Sequence, residues 1–192
     1  MDRRFGCEAA GTVEASLDGR HDPGEASDYC FSGYLVDVEV DPATGAVAVL
    51  GATLVADAGT VINPIAHAGQ LQGGFAMGIG AALMEDLRSD EGRVTTLTLS
   101  HYKLPTPLDV PELEIVLLEP DLGPGPYGAK FAGELSTSGV APAIANAIAD
   151  ACDVELHDLP LTAERVHRTL AAAHGRELVR TRVTPGSGTG AS

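Results

Sequence analysis

Cysteine is scarce in this sequence. Cys7, Cys30 and Cys152 are the three cysteines among 192 residues, and they lie far apart. Because no CxxC pair and no Cys/His cluster occurs, there is no local signature of a zinc or iron–sulfur site. Thiols this few and this scattered also argue against a disulfide scaffold. They are typical of a reducing compartment, so we expect a cytoplasmic protein.

Basic residues and long apolar runs are scarce as well. The sequence has 12 lysines and arginines against 27 aspartates and glutamates, a formal net charge of −15. This acidity argues against electrostatic binding to nucleic acid or to an anionic membrane surface. No stretch approaches the roughly 20 apolar residues of a membrane span, and the first residues lack the apolar core of a signal peptide. We therefore expect neither nucleic acid nor membrane among the partners.

The residues that are present can build a core but carry no familiar catalytic signature. Hydrophobic residues make up 44% of the chain, which is enough for one ordinary domain or for part of a larger one. The sequence has no GxSxG elbow, no HExxH motif and no Walker loop. No serine, cysteine or threonine is therefore marked as a nucleophile.

The clearest local structure is a β-hairpin over residues 31–56. Apolar residues alternate with Asp37 and Glu39 in its first run, and Pro42 and Gly45 mark a turn before the second run. Two further strands are predicted, Arg93–Leu99 and Glu112–Glu119. Three helices are predicted, Ile65–Asp86, Gly139–Ala151 and Thr162–His174. Because strands and helices interleave without a regular βαβ rhythm, the predicted fold class is α+β.

The chain is predicted to have three parts. Residues 1–28 form an N-terminal segment with one short strand over Gly11–Leu17. Residues 29–175 form a folded domain fragment. Residues 176–192 form a disordered tail, because Gly, Ser and Thr dominate its end.

The first predicted helix is unusually rich in glycine. Each glycine inside a helix costs about 0.5–1 kcal/mol relative to alanine, so five together are a poor choice for stability alone. They indicate close approach of another backbone or of a ligand along that surface, with helix packing as the ordinary alternative. The five are Gly69, Gly73, Gly74, Gly78 and Gly80.

Two polar positions stand beside glycines. Gln70 and Gln72 lie in the Gly-rich helix, and Glu134 ends a Gly-rich loop at or near the start of the next helix. On the residues alone, Glu134 is interpreted as an exposed first-turn carboxylate facing the helix dipole. On the same basis, Gln70 is interpreted as a residue of the polar face of its helix.

The order of seven short motifs resembles one protein family. Along the chain come VDVEVDPATGAVAVL, DAGTVINP, GQLQGGFAMGIGAALMED, YKLPTPLDVPELEI, GAKFAGE, PAIANAIADA and LPLTAERV. Each motif alone is weak. Their order over roughly residues 11–170 resembles the carboxy-terminal part of the molybdenum-binding large subunit of the xanthine dehydrogenase/aldehyde oxidase family. The fragment over residues 29–175 is accordingly expected to be part of a molybdopterin-binding domain.

The resemblance implies a redox hydroxylation. Members of the family oxidise a carbon of an aldehyde or N-heterocycle and take the oxygen from water. The implied cofactor is molybdopterin with molybdenum, expected in the cytosine dinucleotide form and shared with other segments. The implied partners are a complementary segment of the molybdenum subunit, an iron–sulfur subunit with 2Fe-2S clusters, a subunit with FAD and a small-molecule substrate.

The resemblance also implies roles for individual residues. The family motif Gly-x-Lys-x-x-Gly-Glu falls on residues 128–134, which gives Glu134 the role of general base beside the metal. The pterin-contacting glutamine of the family falls on Gln70, whose planar amide offers a donor and an acceptor together. No residue is implied as a direct metal ligand. The remaining implied cofactor-binding residues are Gly69, Gly73, Gly74, Lys130 and Gly133.

Two features depart from the family. Phe131 stands where the family usually has glycine or alanine. If that position needs a positive φ, the loop is strained or shifted, and otherwise Phe131 forms part of a substrate wall. The family subunit is also several times longer, so we expect activity only with complementary chains. The alternatives are a non-catalytic remnant and an acidic interaction or scaffold module that binds no molybdenum.

Overall fold

The structure of the chain is a computed structural model that describes residues 30–119 and 125–182, with the backbone alone from 174 to 182. The predicted strand Gly11–Leu17 lies outside these ranges, as does the end of the predicted tail. In chain order the elements are β1 (Ser32–Val40), β2 (Val47–Asp57), α1 (Pro64–Leu83), β3 (Ser89–Asp90), β4 (Arg93–Val94), β5 (Leu113–Leu118), a 3₁₀ turn (Pro126–Gly128), α2 (Val140–Cys152) and α3 (Ala163–Arg182). The predicted α+β class is confirmed.

A three-stranded sheet with the order β1–β2–β5 forms the scaffold. β1 and β2 pair antiparallel, which confirms the predicted hairpin, and β5 pairs parallel with the other edge of β2. Asp41 fixes the hairpin turn because its carboxylate accepts hydrogen bonds from the backbone of Ala43 and the hydroxyl of Thr44. These hydrogen bonds, the one from Thr44 first, lower the pKa of Asp41. Gly45 closes the turn with a φ of 74°.

The core lies between one face of the sheet and the helices. Alternate apolar residues of β1 and β2 pack against fully buried side chains of α1, α2 and α3. Burying one such side chain contributes about 1.5–3 kcal/mol, so this cluster holds α1 and α2 in fixed positions against the sheet. The main helical contributors are Phe75, Ile79, Ile144, Ile148, Val166 and Leu170.

The predicted helices are all present. Asn63 caps α1 because its side chain accepts a hydrogen bond from the backbone of Ala66 at 3.1 Å, and Pro64 occupies the first turn. α3 begins after Thr162, as predicted, and extends to Arg182, beyond the predicted end at His174. In the part of the chain that the structure describes, no helix combines the length and the apolarity needed to cross a membrane.

The predicted strand Arg93–Leu99 is wrong over most of its length. Only Arg93–Val94 is extended and paired, in a two-residue ladder with Ser89–Asp90. The side chains of Leu97 and Leu99 are 77% and 71% exposed. A strand needs a neighbouring strand and a face to bury, and a composition that favours strands provides neither.

Two glycines of α1 serve close packing within the chain. A Cβ added at Gly78 would lie 2.6 Å from the Cβ of Val140, the first residue of α2. A Cβ added at Gly80 would overlap the Glu85 carboxylate and approach Pro105. α1 can therefore approach the first residue of α2 this closely only because Gly78 has no side chain, which supports the packing interpretation for this part of the helix.

Replacing Gly78 by alanine is therefore expected to lower the free energy of unfolding of the full chain by about 1–3 kcal/mol, because the added methyl group overlaps Val140. Gly73→Ala is the matched control, since a Cβ there meets nothing within 4 Å. That control is expected to gain about 0.5–1 kcal/mol from helix propensity. Urea denaturation measures both variants, and equal effects would contradict the packing argument.

Candidate functional site

The loop that carries Glu134 is attached to the end of β2. Lys130 N donates to the carbonyl of Ala58 at 3.2 Å, and Thr60 N donates to the carbonyl of Gly128 at 3.0 Å. Between these bonds Gly59, with a φ of 57°, forms an isolated bridge with Ala129. A Cβ at Gly59 would lie 2.6 Å from the Gly128 oxygen, so this close contact requires glycine.

Glu134 itself is exposed, while the backbone on both sides of it is fixed. The side chain of Gln70 donates from Nε2 to the carbonyl of Gly133 at 2.7 Å. The Tyr34 hydroxyl donates to the carbonyl of Leu135. α2 begins at Val140, so Glu134 lies in a bend before that helix rather than in its first turn. The structure thus brings Gln70 and Glu134, predicted from distant motifs, to adjacent positions.

An open strip of surface without side chains lies beside Gln70. Gly69, Gly73 and Gly133 are exposed, and a Cβ added at any of them would meet nothing within 4 Å. None of the three has a positive φ. Neither packing within the described residues nor backbone conformation explains these glycines, although the two in α1 each cost about 0.5–1 kcal/mol. The strip leaves room for a group from outside the chain to approach the helix backbone.

Gly74 has a different environment. It is buried, and a Cβ there would overlap the Ser136 hydroxyl and lie 2.9 Å from Oγ1 of Thr137. The same Thr137 hydroxyl donates to the carbonyl of Gly74 at 3.0 Å. Gly74 therefore lets the segment after Glu134 lie directly against α1.

Lys130 reaches a carboxylate rather than the open strip. Its Nζ lies 2.6 Å from Oδ2 of Asp57, and the two side chains are only 10% and 9% exposed. Sequence reasoning missed Asp57. Its available signals were its place at the start of the DAGTVINP motif and at the end of a strand whose other residues, Thr53 apart, are apolar or glycine.

Phe131 is not strained. Its φ lies outside the left-handed region, and its side chain is 57% exposed. The positive φ values of this loop occur instead at Tyr127 (61°) and Gly128 (79°). The expected penalty of a bulky residue after the motif lysine therefore does not arise, and the strain lies at Tyr127. Tyr34, Tyr127 and Thr137 are three further residues of this region that sequence reasoning missed.

A separate open cavity of about 970 Å³ lies between residues 83–109 and the start of α3. None of the predicted site residues lines it. Tyr102 lies in sequence between two residues that line this cavity, His101 and Lys103. Its hydroxyl donates a hydrogen bond to the Glu85 carboxylate, and this hydrogen bond raises the pKa of Tyr102. Within residues 30–119 and 125–182, no group of three or more His, Cys, Asp or Glu side chains could hold a metal ion.

The described elements define an α+β domain with a glycine-lined helix surface next to a glutamate loop. Residues 3–111, more than half of the chain, match the family model of the molybdopterin cofactor-binding domain, and the chain belongs to this family. Gln70 lies inside the matched range and Glu134 beyond it.

Known proteins of this family are similar over a larger part of the chain. The aldehyde oxidoreductase molybdenum-binding subunit of Escherichia coli (strain K12) is 36% identical over 159 residues, which cover 81% of this chain and 22% of that protein. The aldehyde oxidoreductase of Megalodesulfovibrio gigas is 37% identical over 145 residues, which cover 75% of this chain and 16% of that protein. The chain thus spans about a fifth of the length of these relatives.

A solved structure supports the fold directly. Quinoline 2-oxidoreductase from Pseudomonas putida 86 superposes with a TM-score of 0.65 and 36% sequence identity, covering 70% of this chain and 18% of that one. The sequence relatives include molybdenum-binding subunits of xanthine dehydrogenases and aldehyde oxidoreductases. The family predicted from the order of motifs is therefore confirmed.

Proposed function

We propose that this chain is the carboxy-terminal part of a molybdopterin-dependent hydroxylase that oxidises an aldehyde or N-heterocycle carbon with water as the oxygen source. The observation that carries the proposal is the hydrogen bond from Gln70 Nε2 to the Gly133 carbonyl, 2.7 Å long. It joins α1, beside Gly69 and Gly73, to the loop that carries Glu134. Two motifs that the family resemblance assigns to one reaction therefore share one surface.

The residues of this surface fit a flat polar cofactor. After donating to Gly133, the Gln70 amide retains Oε1 as an acceptor and a second N–H as a donor, which suits the edge of a pterin. Gly69, Gly73 and Gly133 leave the surface beside the amide open. In this proposal Gly74 and Lys130 contribute by holding the loop close to this surface.

Glu134 is the proposed general base. When bound, the molybdenum cofactor would supply the acceptor for the hydride, that is, the hydrogen and the two electrons of the C–H bond that breaks at the substrate carbon. The Glu134 carboxylate takes the proton from the water-derived oxygen that becomes bonded to the substrate carbon. Gln70 and Tyr34 hold the neighbouring carbonyl groups, so the backbone that carries the carboxylate is held in place before substrate binds.

The proposed enzyme needs further chains. The described part exposes many large apolar side chains, among them Ile65 at 88% and Met77 at 65% on α1. A surface with so many exposed apolar groups is typical of a protein interface. We propose a complementary molybdenum-subunit segment, an iron–sulfur subunit with 2Fe-2S clusters and a subunit with FAD. We also propose the cytosine dinucleotide form of the cofactor and a cytoplasmic location.

Isolation of the tagged chain from its native host tests the proposal. We expect molybdenum and pterin in proportion to the chain, together with a co-purifying complementary subunit. A parallel isolation from untagged cells controls for adventitious metal. A chain that is free of metal and of partners would instead support the non-catalytic remnant or the acidic interaction module.

A further inference from the structure

The ion pair between Asp57 and Lys130 is nearly buried and joins two distant parts of the chain. Asp57 is the last residue of β2, and Lys130 lies four positions before Glu134 in the motif. The Nζ–Oδ2 distance is 2.6 Å, and both side chains are at most 10% exposed. The two residues are 73 positions apart in sequence.

Backbone hydrogen bonds next to this ion pair also connect the loop to the end of β2. Lys130 N donates to the Ala58 carbonyl, and Thr60 N donates to the Gly128 carbonyl, on either side of the Gly59–Ala129 bridge. These backbone hydrogen bonds connect residues 128–130 of the loop to residues 58–60, directly after β2. The ion pair adds a side-chain contact that is formed only when Lys130 lies beside the end of β2, so a shift of the loop by one residue would break it.

Stability alone is a poor explanation for this pair. Removing an ammonium and a carboxylate from water costs about as much as their attraction returns, so a buried pair contributes little net stability. Oδ1 of Asp57 is buried and has no hydrogen-bond partner among the described residues, which raises the cost of this pair further. Breaking such a pair is nevertheless strongly unfavourable, because one charge then remains buried and unpaired. A contact with these properties selects one loop conformation.

We propose that Asp57 and Lys130 are a positioning pair that fixes the Glu134 loop on β2 and thereby directs the Glu134 carboxylate. This inference rests on the proposed role of Glu134 as general base. The pair secures the loop before Glu134, while Gln70 and Tyr34 secure the carbonyl groups on either side of it. Lys130 thus acts through the loop and not by touching the cofactor.

Hydrogen exchange on the full chain tests the pair without any cofactor. In Lys130→Met we expect exchange at the amides of Thr60 and Lys130 to accelerate by about tenfold or more, with the core amides of α2 unchanged. Lys130→Arg keeps the charge and is expected to retain most of the protection. Lys103→Met is the matched control, because Lys103 is exposed and lies outside this loop.

The double variant Asp57→Asn/Lys130→Met covers the case in which Lys130→Met unfolds. It removes both charges, so no unpaired charge stays buried and we expect the chain to fold. We expect the loop amides to exchange faster than in the wild type, as in Lys130→Met. In the assembled enzyme, the double variant is expected to lower kcat per bound molybdenum with unchanged KM. Wild-type protection of the loop in the double variant would overturn the positioning role.

The outcomes separate this inference from the proposed function. If Glu134→Gln is inactive and the double variant keeps both loop protection and kcat, the positioning pair is wrong and the base assignment stands. If the loop loses protection but Glu134→Gln retains full turnover, the pair anchors a loop whose proposed catalytic role is wrong.

Discussion

Replacing Glu134 by glutamine in the assembled enzyme is expected to lower turnover by about 10²–10⁴-fold, the usual contribution of a positioned general base. Molybdenum content is expected to stay unchanged. Glutamine has nearly the same size as glutamate, but its neutral amide does not accept a proton at the pH of the reaction. The loss should therefore appear in kcat and not in the assembly of the protein.

The structure explains why this substitution is expected to leave the loop in place. The contacts next to Glu134 are made by backbone carbonyl groups, that of Gly133 to Gln70 and that of Leu135 to Tyr34. Neither contact uses the glutamate side chain. The variant is thus expected to retain the wild-type far-UV circular dichroism spectrum and unfolding midpoint.

Glu112→Gln is the matched control for this experiment. Glu112 is also exposed but lies just before β5, outside the Glu134 loop. We expect wild-type turnover for Glu112→Gln. The substitution removes the same charge but at a position away from the proposed site. Equal turnover in Glu134→Gln and in wild type, at equal molybdenum content, would show that Glu134 is not the base.

Replacing Gly73 by leucine is expected to lower the molybdenum content of the assembled enzyme by about tenfold or more. A side chain at this position would fill the open strip beside Gln70, and overlap in a packed contact costs about 1–3 kcal/mol. The isolated chain is expected to fold normally, because a Cβ at Gly73 meets nothing within 4 Å. Leucine also has a higher helix propensity than glycine.

Gly33→Leu provides the control for bulk and apolarity. Gly33 lies in β1, and a Cβ there also meets nothing within 4 Å. Metal analysis of the two purified assemblies then compares the same substitution at two open positions. If both variants bind as much molybdenum as wild type, the strip beside Gln70 does not hold the cofactor.

Much of the fold could be predicted because its signals are local. The hairpin follows from alternating residues and a turn with Pro42 and Gly45, and α1 follows from its length and from Pro64 at its start. The strand predicted at Arg93–Leu99 shows the limit of such signals. Its valine, threonine and leucine content favours a strand, but β5 lies beside β2 and residues 95–99 have no strand beside them in the described structure.

The candidate site also combines residues that the sequence indicated with contacts that only the structure shows. Gln70 and Glu134 could be selected from sequence because each stands in a short motif of recognisable spacing. Their adjacency could not be derived, because the hydrogen bond between Gln70 and Gly133 connects positions 63 residues apart. Asp57 opens the DAGTVINP motif, but the motif assigns it no role, and its pairing with Lys130 follows only from where β2 ends.

The α+β class, the principal helices, the hairpin and the family could all be predicted from the amino-acid sequence. Each of these depends on periodicity within one segment or on the order of segments along the chain. Which glycines of α1 pack against other elements and which stay open could be learned only from the three-dimensional structure. Gly74 and Gly78 face the Glu134 segment and α2, whereas Gly69 and Gly73 face outward. The physical reason is that a missing side chain has the same local signature in both cases, and only the neighbouring element shows what occupies its place.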